Sequence, residues 1–316
     1  MSEIVTMHDK DMQRVSAQQR VVKIIVQVLL YAFLFLMAFI IIFPFYWMII
    51  SSLKTVEEYR LAIPTLVPKY LDMHNYVEVF TNEDLLLGQL FLNTLYVGIV
   101  STLISLVITV ISAFAFARLE FKGKNALFAA LLATMMIPGE LFTITNYQTI
   151  ADFLGLRSLG VQLGSQFLIE IGDWRNTFTV LIVPFLVSIF YIYLLKQNFM
   201  QIPNELYLAA KVDGTTDLKY LWKVMIPLAL PTLISITILK MMGAWNSYMW
   251  PRLVANDEAH RLITNGLRSA FTDASGNTDI PVQMAAVALV SLPLFLVFVF
   301  LRKYIMKGVS RSGIKG

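Results

Sequence analysis

The chain has 316 residues, 57% hydrophobic and only 15% charged, against roughly 45–50% and 25% in soluble domains, so much of its surface faces lipid rather than water. The pI of about 9.1 could suggest nucleic acid, but Lys and Arg lie in short clusters beside apolar runs, where they read as topology signals, which argues against a nucleic-acid partner. The absence of cysteine excludes disulfides and thiolate metal sites.

Six segments are apolar and long enough to cross a hydrocarbon core that needs roughly 17–25 helical residues. They run Ile24–Ile50, Phe91–Ala117, Ala126–Ile144, Thr177–Leu195, Leu221–Gly243 and Ile280–Leu301. The fold class expected is all-α, a polytopic protein of six transmembrane helices, with residues 24–316 as one membrane domain behind a short segment, 1–23. The first run exceeds the roughly 7–15 residues of a signal-peptide core and no small-residue cleavage site follows it, so it is expected to stay as an anchor. The third is interrupted by Pro138, Gly139 and Glu140. Such a break is tolerated at membrane depth where the helix is buried in protein or lines a wet cavity.

An N-terminus inside places 16 Lys and Arg in segments 1–23, 118–124, 196–223 and 302–316, and 8 in the three outer loops, with Lys240 within a span. Cytoplasmic loops carry the excess of Lys and Arg, so both termini are expected in the cytoplasm. In outer loop 51–90, Pro64 and Pro68 precede a patterned stretch from Asp72 to Phe80, which predicts an extended passage and then a short interfacial helix. Outer loop 244–279 opens on a Trp and Tyr cluster and continues as polar chain.

Cytoplasmic loop 196–223 predicts a helix with both ends marked. Pro203 suits a first helical position, and Gly214 suits the left-handed residue just past the end. Thr215, Thr216 or Asp217 can cap the helix that follows. Ile202, Leu206, Ala209, Ala210 and Val212 form an apolar face, with Asn204, Glu205, Lys211 and Asp213 available to water. A helix of about three turns is marginal alone and needs a partner surface. A membrane-surface helix would be richer in Lys and Arg and in large apolar side chains.

Pro203 through Pro227 resembles the EAA loop of the permease subunits of ATP-binding-cassette importers: Glu-Ala-Ala, three residues, Gly, nine residues, then Ile-x-Leu-Pro. Leu208, Ala209 and Ala210 occupy the triplet here, Gly214 the glycine and Pro227 the closing proline. Leu208 stands where the family has glutamate, and Glu205, one turn earlier, cannot fill the same spot. Other segments look like the carbohydrate-importing, maltose-permease-like branch: Ser51-Ser52-Leu53-Lys54, Asn93-Thr94, Phe114 to Leu119, Met136-Ile137-Pro138, Gly243 to Asn246, Trp250-Pro251 and the Lys303 to Gly316 end. The resemblance implies a binding-protein-dependent sugar permease of the bacterial inner membrane. It implies four kinds of partner: a second homologous permease in a heterodimer, two cytoplasmic ATPases that bind ATP and Mg, an extracytoplasmic solute-binding protein, and the bilayer. The residues it marks for ATPase coupling are Glu205, Leu208, Ala209, Ala210, Asp213, Gly214 and Pro227.

Glu140, Lys240, Trp245 and Asn246 are the candidates for a solute path. Glu140 and Lys240 sit near outward span ends, where long charged side chains either snorkel to the interface or face a cavity, touching solute or each other. Trp245, Tyr248 and Trp250 read as an interfacial aromatic belt or as platforms for sugar rings and binding-protein contacts. Asn93 and Asn246 read equally as hydrogen-bonding glue between helices. Enzyme chemistry is not indicated: no G-x-x-x-x-G-K-[ST] loop occurs, and His8, His74 and His260 lie far apart in sequence, so no cofactor is expected in this chain.

The charge asymmetry generates a direct expectation for topology. Cysteines placed at Ser16 and Ser312 of this cysteine-free chain should resist an impermeant thiol reagent in intact cells; labelling of either from outside contradicts the inward orientation.

Overall fold

The computed structural model describes residues 2–81, 86–151, 174–270 and 279–310, with side chains for 22–81, 86–151, 174–267 and 279–302, and its regular structure among these residues is entirely helical. Ser312 and the Lys315-Gly316 end lie outside the described residues. Helix α1 (Ser2–Ser51) runs unbroken across residue 23, the expected end of a separate N-terminal segment. Its apolar part, Val22–Ser51, has 30 residues, roughly 45 Å at 1.5 Å per residue, which passes through hydrocarbon and headgroup layers. Side chains such as Tyr31 and Phe35 stand exposed along it, at 67% and 76%. A helix apolar all round is built to contact lipid or other apolar helices.

The chain divides into two units, residues 1–76 with 280–288 and residues 77–279 with 289–316. In the first unit a hydrogen-bonded knot follows α1 and carries α2 (Val56–Tyr59). Lys54 is buried, donating from Nζ to the Thr65 carbonyl at 2.5 Å and lying 4.6 Å over the Trp47 ring. Glu58 accepts from the Thr65 hydroxyl and the Lys69 N–H, and the first of these bonds holds its carboxyl below the ordinary range. Asn75 donates to the Ser52 and Lys54 carbonyls at 3.0 and 2.8 Å. The patterned stretch expected from Asp72 becomes helix α3 (His74–Thr81).

The second unit contains α4 (Leu87–Arg118), α5 (Lys124–Thr134), a 3₁₀ turn (Gly139–Phe142), α6 (Thr143–Ala151), α7 (Phe178–Ile182) with a 3₁₀ extension (Val183–Phe185), and α8 (Ile189–Met200). Next come α9 (Asn204–Val212), α10 (Asp217–Tyr220), a π turn (Leu221–Met225), α11 (Ile226–Trp245), α12 (Met249–Val254) and α13 (Ile263–Ala270). Helix α14 (Ile280–Ser310) is shared between the two units. Val22–Ser51, Leu87–Arg118, Asp217–Trp245 and Ile280–Arg302 are continuous helices long and apolar enough to span a membrane.

Two bent pairs account for the remaining apolar runs. Lys124–Thr134 and Gly139–Ala151 meet at 85°, where Pro138 withholds an N–H, as the interrupted third run leads one to expect. Phe178–Phe185 and Ile189–Met200 meet at 45°. In the fourth run, expected as a span over Thr177–Leu195, Pro184 bends the helix, Ser188 recaps α8 through Tyr191 N–H, and the helix continues to Met200. An apolar run reports what faces lipid and does not register a backbone break inside it.

The packing between α4 and α11 follows from small residues. Thr94, Gly98, Ser101, Thr102, Ser105, Thr109 and Ala113 form the buried stripe of α4, while Leu92 and Leu103 point outward at 64% and 59% exposure. Lipid tails are as apolar as leucine, so helices associate in a membrane by close backbone approach rather than by burying large apolar side chains. At Gly98 a Cβ would stand 2.7 Å from Met241 Sδ, so a larger residue there would have to push the end of that methionine aside. At the α13 end, Asn93 donates to the Ala259 and Arg261 carbonyls at 2.8 and 3.0 Å, and the Thr94 hydroxyl accepts from Ile263 N–H at 2.9 Å. The opposite end holds a cluster of Val110, Phe114, Leu195, Phe199, Tyr220, Leu221 and Met225, on which α9 is seated.

Candidate functional site

Helix α9 is fixed at both ends by local chemistry. Pro203 sits one position earlier than expected, at the N-cap with φ −54° and ψ 136°, and Asn204 opens the helix. At the C-terminus Gly214 has φ +69°; its N–H donates to Lys211 O at 3.0 Å and Thr215 N–H donates to Ala210 O at 2.8 Å. This crossed pair is a Schellman motif, which requires the left-handed residue. Thr216, one of the three candidate caps, accepts from Lys219 N–H and starts α10.

The seat comes from elsewhere in the chain. Arg118, the last residue of α4, donates from one guanidinium nitrogen to the Phe199 and Ile202 carbonyls at 2.9 and 2.6 Å. Phe199 is in the last turn of α8, where its carbonyl also accepts from Ile202 N–H at 3.2 Å, and Ile202 lies just beyond the helix end. Across the turn, the Tyr207 hydroxyl donates to Asp217 at 2.8 Å and Lys211 pairs with the same carboxylate oxygen at 2.7 Å. The Tyr207 ring packs 5.1 Å from Tyr220 between centroids. Burial, and donation to Asp217, push the Tyr207 hydroxyl pKa up; the hydrogen bond to Asp217 likewise raises Lys211, so the pair stays ionised at neutral pH.

This seat divides the expected apolar face. Ile202 and Ala210 turn inward with Tyr207 against the core cluster, whereas Leu206, Ala209 and Val212 remain exposed, Val212 at 88%. The difference arises because Tyr207 and Lys211 reach back to Asp217 and set the rotation of the helix; Lys211 is therefore not simply left to water. Glu205, Leu208 and Val212 form one exposed stripe beside Ala209. Asp213 and Gly214 are exposed, and a Cβ at Gly214 would meet nothing within 4 Å. Pro227 lies apart from this helix, exposed on the first turn of α11. There its missing N–H accompanies the π turn, in which Ile226 N–H bonds to Leu221 O.

At the other end of α11 is a cavity of about 390 Å³ bordered by α4, the α7/α8 break and α12. Lys240 lines it, and its Nζ donates to the carbonyl of Phe185, at the break. The other three solute-path candidates do not border it. Glu140 is exposed on the 3₁₀ turn and forms no ion pair with Lys240. Trp245 is buried edge-on against Phe91 at 5.4 Å, and Asn246 is an exposed C-cap of α11. Trp250 does border the cavity, but its indole N–H is taken by the Val180 carbonyl at 3.0 Å, so it ties α12 to α7.

Residues 7–311 match the family described as binding-protein-dependent transport system inner membrane component. The chain belongs to this family. It is a multi-pass membrane protein of the transport type rather than an enzyme. It is 28% identical over 281 residues, 88% of this chain and 93% of the relative, to the arabinooligosaccharides transport system permease protein AraQ of Halalkalibacterium halodurans. It is 30% identical to the sn-glycerol-3-phosphate transport system permease protein UgpE of Rhizobium meliloti, covering 85% of this chain and 91% of that one. Its fold is similar to that of a chain in the crystal structure of a bacterial ABC transporter that imports the acidic polysaccharide alginate, with TM-score 0.74, 22% identity, and 89% and 96% of the two chains covered.

In this permease, sequence reasoning named the helix and its glycine but not what holds them. Arg118 was read as topology charge and as part of the family-like Phe114 to Leu119 segment, Asp217 as a possible cap, and none of them or Tyr207 as a tie that holds the helix. The available signal was an aromatic and an acid ten residues apart flanking the Gly214 turn. Arg118→Met keeps the apolar stem and removes the donors that cap Phe199 and Ile202. Charged hydrogen bonds contribute about 1.5–3 kcal/mol each, so amide exchange across 199–216 should rise about tenfold or more while α4 stays protected. Unchanged exchange means that Arg118 does not hold the seat.

Proposed function

We propose that this chain is the membrane-spanning subunit of an ATP-driven importer in the bacterial inner membrane, carrying a sugar or oligosaccharide delivered by an external binding protein. Six spans with both termini inside fit the four continuous helices, the two bent pairs and the charge asymmetry. Residues 24–316 are then the permease domain, with 1–23 in the cytoplasm. The family description and the AraQ likeness support the binding protein and the oligosaccharide. The UgpE likeness keeps a polyol or glycerol phosphate as the second reading. The partners are a second homologous permease and two cytoplasmic ATPases, which hold the ATP and Mg.

The observation that carries the proposal is an exposed, largely apolar stripe, Glu205, Leu208, Ala209 and Val212, on a helix whose other face is locked to the spans. A soluble surface has no need of such a stripe, and a partner groove does. In the proposed mechanism, closure of the ATPases pushes α9. The Arg118 and Asp217 contacts transmit the push to α4, α8 and α11 as a rigid body, and the outer cavity opens toward the docked binding protein. Leu208 stands in the glutamate position, so Leu208→Glu is tolerated if the facing groove keeps a cationic group there and harmful if that groove is apolar.

The test is co-purification of the ATPases with the membrane complex, together with solute-stimulated hydrolysis. Ala209→Asp and Val212→Asp, on the outer face, should reduce ATPase attachment about tenfold or more by burying an unpaired charge, with the permease still inserted. Gly214→Val, forced to φ +69°, should strain the turn by about 1–2 kcal/mol or more and uncouple hydrolysis from transport, and Gly214→Asn should retain more coupling. Wild-type attachment and stimulation in Ala209→Asp, Val212→Asp and Gly214→Val together would show that α9 is not the coupling element.

A further inference from the structure

The 390 Å³ cavity falls within the roughly 300–1,000 Å³ of small-molecule sites. Its lining combines aromatic and aliphatic walls with the hydroxyl-bearing Ser101, Ser188, Tyr191 and Ser247, and among the described residues it contains one charged side chain, Lys240, with no Asp or Glu. Among the described residues, no carboxylate forms an ion pair with Lys240; its partner is the neutral Phe185 carbonyl. That carbonyl is available because Pro184 and the recapping at Ser188 interrupt the helix around it.

Capping a free carbonyl needs one donor, and glutamine supplies one without charge. An ammonium offers three donors and a full positive charge, which is costly at membrane depth unless something pairs with it. The charge is therefore surplus to the structural task. In a carboxylate-free cavity a cation attracts an anion, and the low-dielectric walls strengthen that attraction. Because the bond to Phe185 is a single neutral contact at the mouth of a helix break, an arriving oxyanion can share Nζ without displacing a protein charge.

Resting on the importer reading above, we propose that the translocated solute is anionic, a hydroxyl-rich molecule bearing a carboxylate or a phosphate, and that Lys240 is the group that meets its charge. The serine and tyrosine hydroxyls suit the neutral part of such a solute, and the wall formed by Trp250 and Leu262 suits an apolar ring face. Uronate sugars and glycerol or sugar phosphates share this chemistry.

The experiment uses the complete complex, permease pair, ATPases and binding protein, in proteoliposomes offered three probes: an oligogalacturonate, glycerol phosphate and a neutral arabino-oligosaccharide. The expected result is ATP-dependent uptake of one acidic probe in preference to the neutral one, the acid taken up distinguishing carboxylate from phosphate. Lys240→Gln, which keeps a donor for Phe185, should lower that uptake at least about tenfold, equivalent to about 1.4 kcal/mol, with the complex still assembled by size-exclusion chromatography. Lys240→Arg should restore most of it. Failure to take up either acid, preference for the neutral probe, or wild-type acidic uptake in Lys240→Gln overturns the anionic assignment. Uptake that proceeds without ATP or without the ATPases overturns the importer reading itself.

Discussion

The contact on which the architecture around α9 depends is the Arg118 guanidinium set against the Phe199 and Ile202 carbonyls. It joins the end of one long span to the end of a second, at the point where the chain turns into α9. Without it the Phe199 carbonyl keeps only backbone donors such as the Ile202 N–H, the Ile202 carbonyl loses its Arg118 donor, and the polar tie between α4 and the turn into α9 is gone. With it, and with Asp217 receiving Tyr207 and Lys211 from the far side of the Gly214 turn, α9 is clamped at both ends. The orientation of this short amphipathic helix is therefore set by the chain's own contacts.

Several sequence signals were directly legible because they record solvent. Long charge-free runs marked the apolar helices, and Pro138 with Gly139 marked the sharp 85° break. Gly214 marked a left-handed turn, since few other residues accept φ +69°. What composition could not show was the path of the backbone within a run. Pro184 bends α7/α8 although every neighbour is apolar, and α1 continues as helix to Ser2 although its first turns are polar. Helix rotation was equally hidden. Ala209 and Ala210 are chemically alike, and the reach of Tyr207 and Lys211 back to Asp217 decides which faces the core.

The side chains that carry the family likeness largely hold the molecule together. Asn93 and Thr94 fasten the segment before α13 to α4, Trp250 fastens α12 to α7, and Lys54 is enclosed in the knot after α1. Trp245 is likewise a packing residue against Phe91. Polar groups that would be orphaned in an apolar surround must find partners, so a sequence pattern built from Asn, Thr, Lys and Trp in such a chain reports structural ties before it reports ligand contacts. Lys240 differs, since its partner is neutral and its cavity holds no counter-charge among the described residues.

The central claim is that α9 and the spans above it move as one piece. Spin labels on Glu120→Cys, just beyond α4, and Asn204→Cys, exposed on the first turn of α9 outside the docking stripe, can be introduced into the cysteine-free chain without touching the seat. Pulsed dipolar distances between them, measured in the assembled transporter with and without ATP, should give one narrow distribution that does not shift. A distribution that broadens or moves between nucleotide states would show α9 rocking on its own hinge and would contradict rigid transmission.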